Sequence, residues 1–232
     1  MNTYTALIAF ASLNAALVTT TAQAALQGRD LNGSINSFEA YYDTDLNITW
    51  LADTNLKVGN QIVMTWAEAN TFVGSLSFTV GVNVYDNWRL PTVTDTDTPG
   101  CVSASYSGTD CGSNVNTATG EMAHLFYDEL GNKAYWDTAG AGPQTGWGLT
   151  NTGPFPNFQP GTYWSGTEYV PNTDFAWVFA TTGSQVFNPK SYNNRTLAVS
   201  PGDVGAVPEA DTWAMLLAGL ALVGVAVGRR RG

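Results

Sequence analysis

Positive charge is what this chain has least of. Of its 232 residues, 9 are Lys or Arg against 19 Asp or Glu, a formal net charge of −10. Arg229, Arg230 and Arg231 are three of those nine, so residues 25–205 keep six positive groups against 17 negative ones. That balance excludes sequence-independent binding of nucleic acid, which depends on cationic groups displacing counterions from phosphates. Histidine is nearly absent, with His124 alone, and the two cysteines are Cys101 and Cys111. No G-x-S-x-G nucleophile elbow occurs, so serine catalysis has one candidate base and no motif to go with it. A metal site built on the cysteines would lack partners for the same reason. Charged residues total 12%, about half the roughly 25% of a typical soluble domain. The hydrophobic fraction of 44% still excludes a disordered polyelectrolyte.

What is present begins with the ends. Residues 1–24 carry an apolar run from Ala6 to Val18 and finish Ala22-Gln23-Ala24. Small residues at 22 and 24 predict a signal peptide cleaved between Ala24 and Ala25. The tail, 206–232, holds a second apolar run from Trp213 to Val227 followed at once by Arg229-Arg230-Arg231. Fifteen apolar residues sit just below the ~17–25 of a spanning helix, and the arginines would hold the C-terminus on the cytoplasmic side. The expectation is an exported protein anchored in the inner membrane through helix 213–227 until it is processed, and then released to the envelope or beyond. Cys101 and Cys111 lie in a turn-rich segment with nine residues between them, which suits a small disulfide loop in an oxidising compartment.

Between the ends, residues 25–205 read as one α+β domain. Ser37–Tyr42 and Asn47–Leu51 predict a hairpin turned at Asp43-Thr44-Asp45-Leu46. Thr65-Trp66-Ala67-Glu68 is a capping box, opening a helix whose Trp66, Ala69, Phe72, Val73 and Leu76 share a face. A second helix is expected over Glu121–Leu130, with Met122, Leu125, Phe126 and Leu130 as its apolar stripe and Gly131 just past its end. Strands follow at Phe175–Ala180, Gln185–Phe187 and Thr196–Ser200. Residues 138–167 contain no charged side chain and are broken by glycines and prolines. Loops of that length are usually functional or disordered, and aromatics argue against disorder. Trp147, Phe155 and Phe158 are therefore the expected ligand contacts, an uncharged aromatic surface being suited to a neutral polysaccharide, whereas Trp164 is expected in the core.

Two resemblances sharpen this reading. Val207-Pro208-Glu209, a short apolar helix and a terminal arginine cluster resemble the PEP-CTERM sorting signal of Gram-negative bacteria, with Ala210 where the second proline of that motif usually stands. The resemblance implies an exosortase-type enzyme as processing partner and a link to exopolysaccharide, extracellular matrix and biofilm. Within 40–205, the segments LNITWL (46–51), TWAEA (65–69), NWRLPT (87–92), GEM (120–122), YWSGTE (163–168) and AWVF (176–179) occur in the order of the Lcl C-terminal domain family, also called DUF1566. That family is related to C-type lectin-like and sulfatase-modifying-factor domains. It implies a C-type lectin-like fold with two helices on a small twisted antiparallel sheet and long irregular loops. The segment 197–203 lacks the cysteine common in the family's last strand.

The remaining chemistry is thin. His124 and Asp128 are spaced to meet on a helix. Asp43-x-Asp45-x-Asn47 imitates the start of an EF-hand loop, but Ile48 replaces its glycine and Thr54 its bidentate Glu. Asp95, Asp97 and Asp110 offer further oxygens, so calcium is left open, and no other cofactor, metal ligand or catalytic residue is assigned. The function expected is non-catalytic: an envelope or matrix protein that binds or organises extracellular polymer. A carbohydrate-active enzyme and a structural film protein without a ligand are the alternatives.

Overall fold

A computed structural model describes residues 26–33, 37–96 and 105–205. The expected signal peptide, Cys101, Asp97 and the tail 206–232 lie outside the described residues. Strand β1 (Leu26–Arg29) pairs antiparallel with β2 (Ala40–Asp43), and β2 with β3 (Ile48–Leu51). The β2–β3 hairpin turns where the sequence predicts it, with Asn47 at φ 52°, a conformation Asn tolerates better than most residues. Helix α1 (Trp66–Gly74) opens on the capping box, Thr65 accepting from the Glu68 amide while the Glu68 carboxylate accepts from the Thr65 amide. A small hairpin follows, β4 (Phe78–Val80) with β5 (Asn83–Tyr85).

After the short β6 (Gly112–Ser113), helix α2 runs Glu121–His124 and widens into a π-turn over Leu125–Glu129. The turn is closed by the Leu130 amide donating to the Leu125 carbonyl. Gly131 follows at φ 63°, the left-handed residue that ends the helix. The long strands β7 (Thr162–Glu168), β8 (Phe175–Ala180) and β9 (Ser184–Pro189) form a second sheet ordered β6-β9-β8-β7. The last strand, β10 (Val199–Pro201), joins the first sheet beside β3.

That strand is shorter than the predicted Thr196–Ser200, because the residues before it pair elsewhere. Arg195 bonds β7 through the Thr162 carbonyl and the Trp164 amide, and the Ala198 carbonyl accepts from Leu51. The segment thus stitches one four-stranded sheet to the other. Period-two alternation then sends neighbouring side chains to opposite faces. Trp164, Val178, Ala198 and Leu51 pack with α1, while Tyr163, Phe179, Leu197, Val199 and Trp50 pack with α2. The helices therefore cover opposite faces of a shared β layer, whereas two helices on one small sheet were expected. All four predicted stripe residues of α2 are buried.

The segments quoted for the family resemblance supply the core and its fastenings. Trp88, Leu90, Tyr163 and Trp164 are buried. Arg89 grips Glu121 with two bonds of 2.8 Å, docking the start of α2. Arg29, itself buried, pairs with Asp203 and closes β1 onto the end of the domain.

Residues 138–161 are loop and the last part of the segment is strand, since β7 takes 162–168. The loop part is held by side-chain amides. Asn132 Oδ1 accepts from the Thr150 and Asn151 amides, and Asn151 Nδ2 donates to the Leu130 carbonyl. Phe155 (0% exposed) and Phe158 (3%) insert into the α2 core, which corrects their assignment as ligand contacts. Truncating a core aromatic loses both its transfer free energy and the volume it fills. Phe155→Ala should therefore cost about 3–5 kcal/mol in urea unfolding, a loss that no surface contact would produce.

Candidate functional site

Of the three expected ligand contacts, Trp147 alone keeps an exposed face, at 40%. It heads a chain of rings that the sequence did not single out. Its indole lies 4.8 Å from the Tyr135 ring, Tyr135 lies 4.7 Å from Trp136, and Trp136 lies 5.7 Å from Tyr106. The contacts are edge-on or tilted, the arrangement that aromatic quadrupoles favour. Trp136 is 37% exposed, so two tryptophans face solvent across a half-buried tyrosine.

The loops beneath are fixed. Asn114 Nδ2 donates to the Tyr106 and Trp136 carbonyls, and Gln144 Nε2 to those of Ala134 and Trp136. Asn114 sits at φ 48°, and its amide donates to the Tyr127 hydroxyl, which in turn donates to Gly183. Burial pushes the Tyr127 phenol up to about 12. Gly142 permits a close approach, since a Cβ there would meet the Trp136 ring at 2.8 Å and the Tyr135 carbonyl at 2.7 Å. The result is a preorganised aromatic platform with carbonyls and amides at its rim.

A separate apolar groove of about 660 Å³ lies between β2 and the same long loop, lined by Phe38, Tyr41, Leu56, Phe78, Pro154 and Pro156 among others. Its connection with the predicted ligand loop is through Gly153–Asn157, and its floor is the β2–β3 hairpin.

The third feature is chemical. Asp43, His124 and Glu129 each direct a ligand atom into one cluster, all within 4.8 Å of one another. His124 Nε2 lies 3.4 Å from Glu129 Oε1 and 3.9 Å from Asp43 Oδ2. His124 Nδ1 faces Asp128 Oδ2 at 3.1 Å, the meeting that helical spacing predicts. Nε2 makes no hydrogen bond, and Glu129 Oε2 is likewise buried without a partner. Desolvation, and then the charge of Asp43, raise the proton affinity of the Glu129 carboxyl. The cluster is the place among the described residues that could hold a metal ion. Sequence spacing could not show it, because Glu129 joins His124 only through the π-turn.

The other acidic candidates serve the backbone. Asp43 Oδ1 accepts from the Asp45 and Leu46 amides, so the EF-like start is a hairpin turn. Asp95 Oδ2 accepts from Trp177 Nε1 and the Val170 amide, and Asp110 Oδ2 from Thr96. Cys111 is buried and carries no free thiol, and its expected partner Cys101 lies outside the described residues.

Comparison with known proteins identifies the end of the chain. Residues 206–231 match the PEP-CTERM protein-sorting motif. The match defines a class first: a secreted protein sorted through the membrane to the envelope. More particularly, it marks the chain as an exosortase-type substrate. No curated protein and no solved structure matches the chain. Among the described residues, no helix is long and apolar enough to cross a membrane.

The rigidity of the platform is open to direct measurement. Asn114→Gly keeps the left-handed backbone but removes both side-chain bonds to the ring-bearing loops. It should cost about 1–3 kcal/mol and change the near-ultraviolet dichroism of the tryptophans. An unchanged spectrum would mean that the rings hold themselves.

Proposed function

We propose that the exported domain is a non-catalytic polymer-binding module of the cell envelope or matrix, and that the Trp136–Tyr135–Trp147 platform is its contact surface. The observation that carries this reading is the pair of solvent-facing indoles whose loops are held by the half-buried amides of Asn114 and Gln144. Large apolar groups left exposed on a rigid scaffold mark interaction sites, and tryptophan gives much contact area for little conformational entropy. Flat rings with carbonyls and amides around them suit the C–H faces and hydroxyls of a neutral polysaccharide. The acidic surface elsewhere would repel anionic polymers. We further assign 25–205 to a DUF1566-like, lectin-like domain. The support is that its WRLPT and YWSGTE segments form core and docking contacts rather than surface loops. The same reading includes removal of residues 1–24, a Cys101–Cys111 bridge after export, and a membrane stage through helix 213–227 before exosortase processing.

Retention of the exported protein on insoluble glucans and on the host's own exopolysaccharide tests the reading. Trp147→Ala and Trp136→Ala should each abolish retention, with single-site affinity in the range of about 10 μM to 1 mM. Stability should fall by no more than about 1 kcal/mol, the scale of a lost edge-to-face pair. Retention unchanged in both variants would remove the platform from the function.

Sorting has its own test. Replacing Pro208-Glu209 by Ala-Ala should leave the protein in the inner-membrane fraction at its unprocessed mass, with the domain folded. Normal processing would show that the arginines and apolar run suffice as the signal.

A further inference from the structure

We propose that Asp43, His124 and Glu129 form a binding site for one Zn²⁺-class divalent ion, which clamps helix α2 to the β2–β3 hairpin. The proposal does not rest on polymer binding and uses none of the platform's rings.

The geometry comes first. A tetrahedral shell at 2.0–2.1 Å sets its ligand atoms about 3.3 Å apart. Nε2 to Glu129 Oε1 is already 3.4 Å and Nε2 to Asp43 Oδ2 is 3.9 Å, and all three ligand atoms lie within 4.8 Å of one another, so a contraction of up to about 1.5 Å supplies three of the four tetrahedral positions and leaves the fourth to water. Glu129 reaches this position because the π-turn brings residue i+5 onto the face of residue i. An α-helix would set it about 140° away, and π-turns recur at functional sites.

The electrostatics make the cluster incomplete as it stands. His124 Nδ1 faces Asp128 Oδ2 at 3.1 Å. The other ring nitrogen, Nε2, is turned toward the two carboxylates. Nε2 itself has no hydrogen-bond partner, and neither has the buried Glu129 Oε2. The Glu129 side chain is 97% buried (3% exposed), Asp43 fully so. Among the described residues, their only ion-pair partner is this one imidazole. A cation bound by Nε2 and the carboxylate oxygens satisfies each of these groups at once.

The supporting shell is already built. Asp128 on Nδ1 is the carboxylate–histidine arrangement that orients metal-bound imidazoles. Asp43 is fixed by two backbone amides and by Trp50 Nε1, which donates to Oδ2 at 3.2 Å. One imidazole with carboxylates selects a borderline transition ion over calcium, which takes six to eight oxygens.

The test exploits the single histidine. The protein, exported by its own signal, ¹⁵N-labelled and free of any affinity tag, is stripped with chelator and titrated with Zn²⁺. Long-range ¹H–¹⁵N correlations of the imidazole then report on His124 alone. Nε2 should move to the metal-bound range within the first equivalent while Nδ1 keeps its proton, and the thermal midpoint should rise. Asp128→Asn, altered at a half-exposed carboxylate, should fold and bind Zn²⁺ about 10–100-fold more weakly. An Nε2 signal unmoved by excess Zn²⁺ in the folded wild type overturns the proposal and leaves a bare histidine–carboxylate cluster. A shift produced equally by Ca²⁺ overturns it as well.

Discussion

Everything in this domain depends on a β layer that is apolar on both faces. Alternate residues along β3, β7, β8 and the segment before β10 feed two separate cores, so neither face can be left to solvent. One face requires α1 and the other α2, and the chain must return at residues 195–201 to join the sheets through backbone bonds. With so few charges available, the fastenings that fix the layer are placed sparingly. Arg89 with Glu121 and Arg29 with Asp203 join elements far apart in sequence. Surface ion pairs contribute little as a rule, but bidentate or buried arginine pairs add geometric specificity.

The same economy explains the long loop. A charge-free segment of this length has no ladder to satisfy its backbone, and unsatisfied buried groups are costly. Asn132, Asn151, Gln144 and Asn114 stand in for the missing strand, each bonding main-chain groups from another part of the loop or its neighbours. Phe155 and Phe158 then anchor the loop in the core. What the anchoring leaves outside is Trp147 beside Trp136. The surface is therefore exposed and rigid together, the combination that lowers the ordering cost of binding.

Much of this was legible. The hairpin at 43–46, the capping box at Thr65, the apolar stripe of α2, the β8–β9 turn and the sorting tail follow from local chemistry within a few residues. The burial of Phe155 was not legible, since a phenylalanine among prolines reads alike whether it faces in or out. The Tyr135–Trp136 half of the platform was missed because it meets Trp147 across a loop, by contacts with no sequence period. The Asp43–His124–Glu129 cluster was missed for a sharper reason. Helical spacing finds Asp128 for His124 and hides Glu129, because a π-turn changes the period where the residue types give no sign of it.

Helix α2 is where the two sites come closest to sharing a cause. Within one widened turn it presents Tyr127 toward Asn114 and the platform, and Asp128 and Glu129 toward His124 and the β2–β3 turn. A regular α-helix could not aim all three this way, since Glu129 would lie far from His124. The π-turn has to be held open against the tighter helix, and the structure supplies the means. Leu125, Phe126 and Leu130 are buried on one side, and the Asn132 amide donates to the Phe126 carbonyl. An ion at the cluster would add a further hold on the same turn, from the opposite side to Tyr127. Rigidity of the platform's base and occupancy of the cluster would then act through one backbone feature.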